Sequence, residues 1–123
     1  MLNKTYKYCV IGASNNSEKY GYKVLKNLID KGLDVTCVNP KEEEILGIKC
    51  YKSHLDIEAD IFIFLVPGGI SMKIVKDFFE TKKVFKKLWF QPGSFDNKVI
   101  GFCRRFKMKF VKDSCIMLEQ VLE

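Results

Sequence analysis

The stretch Tyr6-Lys7-Tyr8-Cys9-Val10-Ile11-Gly12-Ala13-Ser14-Asn15-Asn16-Ser17 joins an aromatic and β-branched run to a glycine and five small or amide residues. Tyr6–Ile11 has the composition of a strand, and Gly12 permits the tight turn that ends it. From Tyr22 to Leu33, Val24, Leu25, Leu28 and Ile29 recur at helical spacing, and Gly32 stands at the expected stop. Strand, small-residue turn and helix in this order are the opening of a parallel α/β unit.

The pattern then repeats along the chain. Asp34–Val38 reads as a second strand, closed by Asn39-Pro40. Ile61–Val66 is continuously apolar, as a strand buried on both faces is, and Pro67-Gly68-Gly69 ends it. Ile74, Val75, Phe78 and Phe79 form a second helical stripe, Lys87–Phe90 a fourth strand, and Val99, Ile100, Cys103 and Phe106 a third stripe. Lys109–Val111 reads as a short fifth strand, and the tail from Ser114 onward as a final helix. Residues 41–60 are mixed and polar and read as a loop with at most one helical turn. The expectation is an α/β, Rossmann-like, doubly wound parallel sheet of five strands with helices on both faces. The first strand is central, as in the flavodoxin-like order.

Length and composition agree with one domain over residues 1–123. Hydrophobic residues make up 47% and charged residues 29%, globular values that exclude a disordered chain. No apolar signal region follows Met1, and the longest apolar run, Ile61–Val66, is far short of the roughly 20 residues that span a bilayer. These features point to the cytoplasm and away from the membrane. The five cysteines, Cys9, Cys37, Cys50, Cys103 and Cys115, are odd in number, widely spaced and without a C-x-x-C pair, which argues against a zinc ribbon or dithiol motif. No metal-ligand cluster is present in the pattern.

In doubly wound sheets ligands sit beyond the C-terminal strand ends, where strand order reverses. There Gly12 turns the chain, Ala13 and Ser14 let a ligand approach the backbone, and the next helix aims its free N–H groups at a phosphate. Ser14, Asn15 and Ser17 supply hydrogen-bonding side chains and Lys19 a cation. An ordinary capped turn has the same composition. The segment is not G-x-G-x-x-G, since Ser14 and Ser17 hold the second and third glycine positions. At the end of the second strand, where NAD-binding domains place a carboxylate, stand Asn39 and then Lys41, which suit a phosphorylated ribose. NADP and coenzyme A (CoA) both carry one. Each lysine reads equally as a solvated surface charge.

Gly12-Ala13-Ser14, Val38-Asn39-Pro40-Lys41, Glu44-Ile45-Leu46-Gly47, Gln91-Pro92-Gly93 and Asp113-Ser114-Cys115 stand in the order and spacing of a known family. The chain resembles, over nearly its whole length, the small bacterial coenzyme A-binding domain family, which is similar to the N-terminal domain of the succinyl-CoA ligase α subunit. The resemblance implies a Rossmann-like fold that binds CoA or acyl-CoA, with the diphosphate on Gly12–Ser17. It places Asn39, Pro40 and Lys41 near the adenosine and its 3′-phosphate, Val66 and Pro67 near the adenine, and Gln91, Pro92 and Gly93 along the pantetheine arm. The family often has arginine at Lys19 and glycines at Glu42 and Glu43; two carboxylates oppose a nearby phosphate unless they turn aside.

No catalytic constellation is complete, so the reading is a non-catalytic cofactor module, acting alone, as a homodimer or as a partner subunit. Asp60 precedes its strand and so lies at the wrong end of the sheet. His54, the one histidine, reads as a surface loop residue. Cys115 stands on the ligand side, either as an inert core thiol or as a partner for the pantetheine thiol. An NADP-binding oxidoreductase fragment is the second reading. A basic nucleic-acid-binding protein is the third, from a net charge of +6 with 21 basic and 15 acidic residues. Lys82, Lys83, Lys86, Lys87, Arg104, Arg105, Lys107, Lys109 and Lys112 flank turns that precede strands, and so belong opposite the cleft.

Overall fold

A computed structural model describes residues 1–122. Its strands are β1 (Leu2–Asn3), β2 (Lys7–Ile11), β3 (Asp34–Val38), β4 (Glu44–Ile45), β5 (Ile48–Tyr51), β6 (Ile61–Phe64), β7 (Lys87–Phe90), β8 (Phe110–Val111) and β9 (Val121–Leu122). Its helices are α1 (Tyr20–Asp30), α2 (Gly68–Glu80) and α3 (Asn97–Arg105). The main sheet runs β4-β5-β3-β2-β6-β7-β8. Within it, β3-β2-β6-β7-β8 are mutually parallel and are the five strands read from the sequence, with the first of them central as expected.

Side-chain alternation builds the two layers. Tyr8, Val10, Ile61, Ile63 and Trp89 face one side, where they meet Val24, Leu25 and Leu28 of α1. Cys9, Ile11, Phe62, Phe64, Leu88 and Phe90 face the other, against Ile74, Val75 and Phe78 of α2 and Val99, Ile100 and Cys103 of α3. The period of two along each strand separates these sets, and burial on both faces explains the unbroken apolar run of β6, all four of whose residues are buried. The helices therefore cover both faces, as predicted.

Three expectations are corrected. The sheet has seven strands, not five. Residues 41–60 carry a β-hairpin: β4 pairs antiparallel with β5, and β5 pairs parallel with β3. Its two-residue turn has both residues in the left-handed region, Leu46 at φ 53° and Gly47 at φ 77°, the geometry whose twist matches a hairpin. Leu46 packs on the core, which explains an apolar residue at a position where Asn or Asp is usual. The tail is not a helix either. One 3₁₀ turn, Ile116–Leu118, buries Ile116, and the chain then enters β9, which pairs parallel with β1 in a separate two-stranded sheet. Tertiary bonds hold it there: Trp89 Nε1 donates to the Ser114 carbonyl at 3.0 Å, and Lys31 Nζ donates to the carbonyls of Met117 and Glu119 at 2.9 and 2.8 Å.

Candidate functional site

β2 leads to β3 through α1 on one face, and β6 leads to β7 through α2 on the other, so the strand order reverses on either side of β2. The C-terminal ends of β2, β3 and β6 thus splay open at one point, where ligands of such sheets bind. Two cavities meet there, of about 550 and 610 Å³. They share Gly12, Asn39 and Val66 as common walls.

The first cavity lies over the turn after β2. Gly12 takes φ 99°, a conformation natural only to glycine, and its N–H donates to the Val38 carbonyl at 3.3 Å. Ala13, Ser14, Lys19 and Pro67 add to the lining. Gly21, in the first turn of α1, sits so close that a Cβ would stand 2.2 Å from the Gly12 oxygen and 3.0 Å from Ser14 N. α1 is therefore pressed onto the loop. Lys19 caps the helix with no side-chain bond to it, so the N-terminal N–H groups that favour an anion have no side-chain cap. The close helix–strand approach that the third glycine of G-x-G-x-x-G permits is supplied here by Gly21, which the sequence reading missed; a glycine in the first turn of a helix, nine residues beyond Gly12, was the available signal.

Asn39 fixes the angle between the two strand ends. Its Nδ2 donates to the Ala13 carbonyl at 2.8 Å, and its Oδ1 accepts from the Lys41 and Glu42 N–H groups at 2.7 and 3.1 Å. Its own N–H donates to the Tyr51 carbonyl at 3.0 Å. Asn15 is tied down as well, donating from Nδ2 to Glu42 Oε2 at 2.7 Å. That bond turns the Glu42 carboxylate onto the loop's amide. Ser14 Oγ accepts from the Asn16 N–H at 3.0 Å.

The second cavity has an apolar floor of Val38, Pro40, Val66, Ile70 and Ile74 and a charged rim of Lys52, Lys73, Lys76, Asp77 and Glu80. His54 lines it and is half-buried, not the surface residue expected: its Nε2 donates to Asp77 Oδ2 at 2.8 Å, and its ring meets the edge of Phe78. The carboxylate orients the imidazole toward a fixed position beside the cavity. The turn that follows β5 brings Lys52 and His54 here, and the placement of that turn was hidden as long as residues 41–60 read as one loop.

The remaining residues singled out from the sequence fall outside the lining of both cavities. Asn15, Ser17 and Lys41 are exposed on neighbouring turns. Gln91 is buried and used internally: its Oε1 accepts from the Ile116 N–H at 2.7 Å and its Nε2 lies 3.4 Å from Cys115 Sγ. Pro92 and Gly93 are exposed beyond the end of β7, on the same edge of the sheet. At the opposite end, Lys82, Lys83, Lys86, Lys87, Lys107 and Lys109 surround a separate groove; Lys112 departs from the expectation, since it follows β8 at the C-terminal strand edge with its Nζ over the Phe95 ring. Among the described residues no group of three His, Cys, Asp or Glu side chains is placed to hold a metal ion, and no helix is long and apolar enough to cross a membrane.

A doubly wound sheet with a glycine turn, an N-terminal helix end and an apolar-floored cleft at its switch point defines a Rossmann-like domain of the nucleotide-cofactor class. The chain belongs to the CoA binding domain family, whose profile matches residues 6–120. It is 33% identical to the ADP-forming acetate–CoA ligase of Methanocaldococcus jannaschii over 117 residues, which cover 87% of the chain and 16% of the ligase. The chain thus spans about a sixth of that relative's length. An uncharacterized Bacillus subtilis protein is 27% identical over 94% of the chain and 86% of its own length. A conserved hypothetical protein from Pyrococcus furiosus superposes with a TM-score of 0.86 at 38% identity, covering 93% of this chain and 98% of that one.

Proposed function

We propose that this domain binds CoA or acyl-CoA and performs no chemistry on it alone, serving as a carrier, a sensor or a subunit for a catalytic partner. The observation that carries the reading is the meeting of the two cavities at Gly12, Asn39 and Val66. One cavity offers small residues, a helix N-terminus and Lys19 to a diphosphate. The other offers an apolar floor to an adenine ring. Around that floor stand Lys52, Lys73 and Lys76, cations suited to a phosphate on the ribose, with Lys41 on the turn after β3. Asn39 and Gln91 act as positioning residues in this reading, the first by joining the two strand ends and the second by anchoring the Cys115–Ile116 segment. Pro92 and Gly93 border the path left for the pantetheine arm.

Calorimetric titration with CoA, dephospho-CoA and NADPH tests it. Saturable binding of CoA is expected, with dephospho-CoA weaker by about tenfold, or ~1.4 kcal/mol. Lys52→Ala combined with Lys73→Ala should erase most of that difference, and Lys41→Ala less of it. Binding of NADPH alone, or of none of the three, overturns the reading.

A further inference from the structure

Cys37 and Cys50 are register partners on the adjacent parallel strands β3 and β5. Neighbouring strands lie about 4.8 Å apart, inside the roughly 4.4–6.8 Å Cα separation that a disulfide spans. Both side chains point to the same face of the sheet and both are buried, at 0% and 5% exposure. Their sulfur atoms are in contact, Sγ to Sγ 2.6 Å. The other cysteines are placed differently: Cys9 and Cys103 lie in the opposite layer, and Cys115 stands beside Gln91.

We propose that Cys37 and Cys50 form an intramolecular disulfide by exchange with a low-molecular-weight disulfide, RSSR. The Cys50 thiolate attacks one sulfur of RSSR, giving a Cys50–SR mixed disulfide and releasing RS⁻. The Cys37 thiolate then attacks the Cys50 sulfur, forming the Cys37–Cys50 bond and releasing the second RS⁻. The two thiol protons end on the two leaving groups as 2 RSH; the cysteine pair is oxidised by two electrons and RSSR is reduced by two. Cys50 is assigned the first attack because an opening of β5 breaks less of the sheet than an opening of β3, which is paired with β2 along its whole length. Two register pairs join β5 to β3, and its outer neighbour β4 is a two-residue strand. Burial raises the thiol pKa of both residues, so the exchange waits on that opening.

The bond would lie one register step before the contact between Asn39 N–H and the Tyr51 carbonyl. It therefore fastens the hairpin to the strand that carries Asn39. This inference does not depend on which ligand the cleft takes.

The test uses the Cys115→Ser protein, so that the half-buried thiol does not take up the reagent, incubated with hydroxyethyl disulfide and then unfolded for thiol titration and mass measurement. Four of the five cysteines remain in that variant. The expected result is the loss of two titratable thiols, a mass lower by two hydrogens, and a cross-linked peptide joining residues 37 and 50. Adding Cys50→Ala should abolish all three. Four titratable thiols after incubation, or a cross-link between any other pair, overturns the proposal. Because the readout is taken on the unfolded chain, a variant of reduced stability still reports on it.

Discussion

Gly21 is the residue on which the first cavity depends, because a methyl group at its α-carbon would stand 2.2 Å from the Gly12 oxygen. Nothing flexible can yield there, since the obstructing atoms are backbone. Gly21→Ala should force α1 off the loop and destabilise the fold by about 1–3 kcal/mol, the usual penalty for overpacking, and the proposed function predicts weaker CoA binding with it. Gly101 in α3 is the control: a Cβ there meets nothing within 4 Å, so Gly101→Ala should stabilise by about 0.5–1 kcal/mol through helix propensity. Urea unfolding of the two variants reads the contrast, and equal effects would remove the close approach as an explanation. At this scale the sequence showed the residues whose role is local. Gly12 and Ala13 were legible because a strand end and a turn form within a few residues. The roles of Gly21, Gln91 and His54 were not, because each is defined by a contact with another segment: the Gly12 carbonyl, the Ile116 N–H and the Asp77 carboxylate.

The hairpin β4–β5 carries the same lesson at the scale of elements. Four of the five parallel core strands were legible because each is an apolar run closed by glycine, proline or amide residues beside a helical stripe; β8 has no such boundary and was read from its place after the third stripe. β4 and β5 are short, lie at the sheet edge and alternate polar with apolar residues, and their turn reads Leu46-Gly47 where Asn-Gly would have declared it. The tail misled for the opposite reason: its apolar residues suit a helix, but bonds donated by Trp89 and Lys31 and one accepted by Gln91 draw it into one 3₁₀ turn and then β9. Gly47 tests the hairpin directly. Its φ of 77° is left-handed, and a Cβ there meets no atom within 4 Å. Gly47→Ala should therefore destabilise by about 1 kcal/mol through the backbone alone, seen as a lower urea midpoint. An unchanged midpoint would mean that the turn is not held in this geometry. Because the turn that follows β5 supplies Lys52 and His54 to the second cavity, the proposed function predicts that the same variant lowers CoA affinity.

Across the whole molecule, the two ends of the sheet carry different surfaces. The C-terminal strand ends carry the paired cavities, the opposite end carries the lysine groove, and between them the two core layers enclose most of the thiols. Burial pushes Cys9 up to about 12 and Cys103 up to about 11 from an ordinary 9.0, and raises Cys37 further. Tyr8 moves in the same direction, also through burial. These groups stay neutral in the folded chain at pH values where the unfolded chain ionises. Their contribution to stability is complete below about pH 9 and is lost as pH rises toward the folded values, since the unfolded state then gives up protons that the folded state keeps. Within that window each thiol lowers the unfolding free energy by about 1.4 kcal/mol per pH unit. The expected urea midpoint is flat from neutrality to about pH 8 and falls steeply between about pH 9 and 11. Cys103→Ala should flatten the slope by one thiol's share, because it removes one titrating group and leaves Cys9 and Cys37 in place. A midpoint that stays constant through pH 11, or a slope that Cys103→Ala leaves unchanged, would mean that the buried thiols are not the groups that resist ionisation.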